Sequence, residues 1–113
     1  MHKGTKGILL RIFINENSHY KGRNLLEFII EEAKKQNLAG ATAFRGVMGY
    51  QSGTKIQTAT ILRLSENMPI VIEIVDTEVK IQAFLPFLKE VVQDGLVTTE
   101  AANIIVKPKS NED

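Results

Sequence analysis

Residues 70–75 read Ile-Val-Ile-Glu-Ile-Val, and no other stretch restricts the fold as tightly. β-Branched side chains lose rotamer freedom in a helix and pack well on a pleated surface, so this short run predicts a buried strand. Strand alternation puts Glu73 on the same side as Val71 and Val75. Because unpaired buried charge is rare, Glu73 either faces an exposed side of the sheet or is paired inside an interface. The chain must therefore build a sheet and cover it.

The rest of the chain supplies the partners. Thr5 to Ile14 is a nearly continuous apolar run with one interior Arg11, which predicts a central strand. Asn15 to Arg23 collects Asn, Ser and Gly without an apolar period and reads as a loop. From Asn24 to Gln36, Leu25, Leu26, Ile29, Ile30 and Ala33 recur at helical spacing, with Asn24 placed to cap the start and Asn37 or Gly40 to end it in a left-handed turn. Ala41 to Met48 alternates loosely as a second strand. After Asp76 or Thr77 as N-cap, Glu78 to Gln93 aligns Ile81, Phe84, Leu85, Leu88, Val91 and Val92 on one stripe, with Pro86 inside predicting a kink. Asp94-Gly95 stops this helix, and Asn103 to Lys107 supplies a last strand.

Between the second strand and residue 70 lies an excursion, Gly49 to Pro69, several times longer than a hairpin loop, of which Thr58 to Leu64 can form a strand arm. Long excursions in compact domains usually carry function. Gln51, Ser52, Gly53 and Thr54 bring no apolar anchor, so residues 51–57 are expected to be the most mobile interior segment. The order βαββαβ predicts an α+β, ferredoxin-like sandwich: an antiparallel sheet with both helices on one face. At 113 residues the whole chain, 1–113, is one domain, and the polar tail 107–113 is expected to fray.

Composition removes several chemistries. Zero Cys excludes a disulfide framework, a thiolate metal site and a cysteine nucleophile. A net charge of +1 gives no electrostatic footprint for nucleic acid, and no signal peptide or apolar span is evident, so the protein is expected in the cytoplasm. The two His, His2 and His19, have no ligand partners at helical spacing; His19 is either a solvated loop residue or a ligand contact. Ser18, Ser52, Ser65 and Ser110 sit in no nucleophile-elbow pattern. Gly49 to Lys55 has three residues between its glycines where a Walker A loop needs four, and Thr54 precedes Lys55. It is either a plain mobile loop or a segment that meets an anion through backbone N–H groups and one cation. Arg45-Gly46 is not followed by the aromatic residues of an RNA-recognition motif.

With these elements placed, a resemblance emerges from Leu38-Ala39-Gly40-Ala41-Thr42, Arg45-Gly46, Gly49-Tyr50, the segment Met68 to Asp76 and Asp94-Gly95-Leu96-Val97-Thr98, in that order. Together with Tyr20-Lys21-Gly22 before the first helix, these segments make the chain resemble the PII-like (GlnB-like) signalling proteins, and more narrowly an uncharacterised bacterial and archaeal PII-like branch. The match runs from Gly7 to Val106. It implies a homotrimer with ligand clefts between subunits and a mobile T-loop where the 49–69 excursion falls. In PII proteins an adenine nucleotide lies between the T-loop base and a Gly-rich, Lys-containing loop after the second helix. Here that loop, residues 94–100, has one glycine and no Lys, and Gln51 stands where a glycine is expected beside Tyr50.

The function implied is a non-enzymatic sensor whose ligand is ATP, ADP or AMP and whose excursion contacts a protein target, in this superfamily often a membrane transporter or a metabolic enzyme. Arg45 and Lys55 are expected to supply charge, with Lys21 and His19 in reserve, while Gly46 and Gly49, beside Tyr50, let the main chain approach. Gly95, Leu96 and Val97 are expected to line the other wall, from the same or a neighbouring subunit. The alternative is a hydrolase acting on a phosphorylated small molecule in the same cleft. A metal-tolerance trimer of the superfamily is disfavoured by zero Cys and two His.

Overall fold

The computed structural model describes residues 4–51, 53, 55–58 and 67–109. His2, Ser52, Thr54, Ser65, Ser110, the arm beyond Thr58 and the last four residues of the tail lie outside them.

The elements run β1 (Thr5–Asn15), β2 (His19–Tyr20), β3 (Arg23–Asn24), α1 (Leu25–Lys35), β4 (Thr42–Arg45), β5 (Met48–Gly49), β6 (Gln57–Thr58), β7 (Pro69–Thr77), α2 (Glu78–Val91) and β8 (Leu96–Ile104). The main sheet has the order β4-β7-β1-β8 and is antiparallel throughout. This is the ferredoxin-like βαββαβ arrangement expected from the sequence, with two short ribbons added.

Alternation along the two central strands sets the layers. Leu10, Ile12 and Ile14 of β1 stand opposite Ile74, Ile72 and Ile70 of β7, and all six are buried. They form one core with Leu25, Ile29 and Ala33 of α1 and with Ile81, Phe84, Leu88 and Val91 of α2. Both helices thus cover the same face, each buried Leu, Ile, Val or Phe side chain contributing roughly 1.5–3 kcal/mol of hydrophobic free energy.

The helix ends follow from local chemistry. Asn24 Oδ1 accepts from Glu27 N–H at 3.0 Å, capping α1. At the other end Asn37 has φ 60°, its N–H donates to Lys34 O, and Leu38 N–H donates to Ala33 O. This pair of bonds is a Schellman turn, so Asn37 rather than Gly40 ends the helix. Thr77 caps α2. Asp76 instead accepts from Ala39 N–H at 2.8 Å, tying the turn after α1 to the end of β7. α2 continues through Pro86 and stops at Val91, two residues short of the expected end.

Three expected boundaries are corrected. The loop at 15–23 contains a ribbon, His19–Tyr20 against Arg23–Asn24, turned by Lys21 (φ 48°) and Gly22 (φ 81°). Positive φ at both central residues is what a two-residue type I′ hairpin requires. The second strand, expected over 41–48, breaks after Arg45: Gly46 N–H donates to Pro69 O at 2.8 Å in register, but Pro69 has no N–H to return the bond, and Met48 and Gly49 pair instead with Thr58 and Gln57. The last strand, expected at 103–107, is β8, and it pairs with β1 from Leu96↔Phe13 to Ile104↔Thr5. Leu96 and Val97 therefore begin a strand, and the expected ligand loop at 94–100 is mostly sheet. β8 is an edge strand exposed along most of its length, so its composition carries little apolar alternation.

Candidate functional site

The excursion leaves the sheet after Arg45 and returns at Met68 and Pro69, and its base is fastened to the end of β1. Asn15 Nδ2 donates to Gln51 Oε1 at 3.4 Å, and Asn17 N–H donates to Asn67 Oδ1 at 3.0 Å. Glu16 holds both sides at once. Arg45 Nε donates to its Oε2 at 3.0 Å, Met68 N–H donates to its Oε1 at 3.2 Å, and Glu16 N–H donates to Met68 O at 2.9 Å. Gly46 and Gly49 lie against Pro69, where an added Cβ would come within 3.0 and 3.1 Å of its Cγ. A side chain at either position would press on the Pro69 ring, which would have to give by a few tenths of an ångström. Tyr50, Lys55 and Ile56 are exposed.

The second expected wall lies at the opposite edge. In register, Arg45 stands beside Ile70, Ile70 beside Ile14, and Gly95 immediately precedes Leu96, the partner of Phe13. Arg45 and Gly95 thus occupy the same end of the sheet with two strands between them, about 14 Å at ordinary strand spacing. Within one chain the two expected walls therefore lie at opposite edges of the sheet. Gly95 is packed tightly, since a Cβ there would come within 2.6 Å of Phe13 O.

Gly95 does share a cleft of about 80 Å³ with His19, lined also by Ile14, Ser18, Leu25, Gln93 and Asp94. That is well below the roughly 300 Å³ at which small-molecule sites begin. Lys21 lies at the ribbon tip with Nζ 5.4 Å from the Tyr20 ring centroid. Tyr20 O–H donates to Glu90 Oε2 at 2.5 Å, and this bond, with desolvation and the carboxylate's charge adding to it, raises the phenol above its usual value. The structure therefore sets Arg45 on Glu16, lays Gly46 and Gly49 against Pro69, groups His19 with Gly95, and places Lys21 on the Tyr20 ring.

The face of the sheet away from the helices explains Glu73. Phe44, Val71, Phe13 and Leu96 form one row across it, and Thr42, Glu73, Arg11 and Thr98 the next. Arg11 donates to Glu73 at 3.0 Å and to Glu100 at 2.6 Å, two charge-assisted bonds that hold the guanidinium firmly protonated. Phe44 is 52% exposed and Leu96 59%, so the apolar row is open in the single chain. Among the described residues no group of three His, Cys, Asp or Glu is arranged to hold a metal ion. Within them no helix is long and apolar enough to cross a membrane.

Glu16 had no role in the expectations from sequence, and Met68 entered them only as the start of the segment 68–76. Glu16 sits in the run Asn15-Glu16-Asn17-Ser18, and that concentration of side-chain acceptors after a central strand was its one visible signal.

Comparison with known proteins places this geometry. Residues 7–104 match the model of the DUF190 family, described as "Uncharacterized ACR, COG1993". A UPF0166 protein of Aquifex aeolicus (strain VF5) is 37% identical over 101 residues, covering 89% of this chain and 95% of the relative. The UPF0166 protein MJ1524 of Methanocaldococcus jannaschii is 35% identical over 94 residues, covering 81% of this chain and 85% of its own. Among solved structures, CPII, a nitrogen regulatory PII-like protein from Thiomonas intermedia K12 bound to ADP, AMP and bicarbonate, superimposes with a TM-score of 0.64. The identity there is 14%, and 94% of each chain is covered. At that identity the likeness is one of fold.

Proposed function

This chain belongs to the DUF190 (UPF0166) family, and from that premise we propose that it is a PII-like regulatory protein rather than an enzyme. In this reading a homotrimer binds an adenine nucleotide, ATP, ADP or AMP, in clefts between subunits. The observation that carries the reading is the separation of the two glycine walls: Arg45, Gly46 and Gly49 at one sheet edge, Gly95 at the other. A head-to-tail ring of subunits brings unlike edges together and closes, giving the cleft a wall from each chain. The open apolar row on the sheet supplies the contact area such a ring buries. CPII, which shares the fold, is bound to ADP and AMP.

Arg45 meets the phosphates through its fork of donors, with Lys55, Lys21 and His19 adding charge from the excursion and the ribbon. Gly46, Gly49 and Tyr50 line one wall, and Gly95, Leu96 and Val97 of the neighbour line the other. Ligand occupancy biases the excursion 49–69 between arrangements with different affinity for a cytoplasmic protein target. Val47, Met48, Tyr50 and Ile56 at its base are all more than half exposed and offer that target an apolar contact. A membrane transporter or a metabolic enzyme is the class of target this reading names. Calorimetry against ATP, ADP, AMP and cyclic nucleotides tests it: saturable binding of at least one is expected, and silence across the panel refutes the nucleotide part. Turnover of a phosphate-ester panel, lost on Arg45→Ala, would replace the sensor with a hydrolase.

A further inference from the structure

We infer that Glu16 is a built-in competitor for the anionic ligand, its carboxylate occupying the donors that a phosphate takes and thereby setting the anion affinity of the site. This rests on the nucleotide-binding reading above and deepens it. Arg45 Nε on one side of the excursion and Met68 N–H on the other converge on the two oxygens of one carboxylate, at 3.0 and 3.2 Å. A guanidinium and a backbone N–H aimed at one point form a cradle for any oxyanion. While Glu16 fills it, the guanidinium is neutralised at contact distance, and an arriving phosphate meets a negative charge.

The arrangement allows exchange. The Arg45 and Glu16 side chains are 46% and 33% exposed, so solvent and ligand reach both. Withdrawal of the carboxylate leaves the base of the excursion fastened, because three bonds do not involve it. These are Glu16 N–H to Met68 O and Gly46 N–H to Pro69 O at 2.9 and 2.8 Å, and Asn17 N–H to Asn67 Oδ1 at 3.0 Å. Glu16 therefore acts on ligand selection with little consequence for the fold.

Glu16→Gln keeps an acceptor for Met68 N–H and removes the charge. The test is calorimetry of the parent, Glu16→Gln, Arg45→Ala and the double variant against ADP, inorganic pyrophosphate and adenosine. ADP and pyrophosphate are expected to bind Glu16→Gln about three- to fivefold more tightly, the size of an exposed ion pair. Adenosine affinity stays unchanged, and Glu16→Gln gives no gain in the Arg45→Ala background. Glu16→Asp, which keeps the charge but shortens its reach, moves in the same direction by less and provides a second variant should the first fold poorly. Unchanged or weakened ADP binding in Glu16→Gln, or an equal gain for adenosine, overturns the competitor role and leaves the nucleotide reading standing. A parent silent to ADP whose Glu16→Gln variant binds pyrophosphate upholds the competitor role and overturns the nucleotide reading. Silence in every variant overturns both.

Discussion

Replacing Gly95 by alanine is expected to destabilise the protein by about 1–3 kcal/mol, the usual penalty for forcing extra volume into a packed site. The new Cβ would sit 2.6 Å from Phe13 O, 2.8 Å from Val92 Cγ1 and 3.1 Å from Ile14 Cγ2. Phe13 O belongs to a central strand paired on both sides, so it cannot retreat, and residues 94–96 must shift off β1 by several tenths of an ångström. The clash is steric alone, because Gly95 has no left-handed φ. Gly40 is the control: it also lacks a left-handed φ and has open space around it. Gly40→Ala is expected to be neutral or to stabilise by about 0.4–1 kcal/mol through the unfolded chain. Urea unfolding followed by circular dichroism, at one fixed subunit concentration, separates the two. Coincident transitions for the two variants would refute the packing argument. Gly95 would then owe its place to something other than its fit against β1, and the ligand wall is the candidate.

Asn24→Ala removes both the cap of α1 and the bond from Asn24 Nδ2 to Glu16 O at 3.1 Å; a loss of about 1 kcal/mol in urea unfolding is expected, with Asn24→Asp recovering the cap alone. Tyr20 has its folded pKa raised by Glu90, so the stability this bond contributes is present below the unfolded tyrosine value and lost as pH rises through the folded one. Ultraviolet titration in a Tyr50→Phe background should show the Tyr20 midpoint fall on Glu90→Gln; an unmoved midpoint contradicts the bond. Phe44→Asp charges the open row, and it should lower the subunit count in light scattering while leaving the circular dichroism spectrum intact.

The helices were legible because their signals are local. Periodicity, Asn24, Thr77 and Asn37 all act within one turn. β7 was legible because a strand buried by its inner face and flanked on both sides concentrates β-branched residues. β8 was misread for the opposite reason, since Thr98, Thr99, Glu100 and Ala101 lie on an exposed edge and their pairing is decided by β1. The break after Arg45 depends on Pro69, a residue on the returning strand. Gly46 and Gly49 were expected to let a ligand approach the main chain, and within the chain it is Pro69 that lies against them. Glu16 was invisible because its partners lie 29 and 52 residues away, a distance over which only the folded register carries information. Glu73 was half legible: alternation placed it on the correct face, and only the fold supplied Arg11.

Native mass spectrometry of the protein with excess ADP reads assembly and ligand together in one spectrum. A species of three 12.6 kDa chains carrying up to three nucleotides, one for each cleft between subunits, is expected. A single chain without ADP, at a concentration where the sample is folded, would contradict the proposed reading.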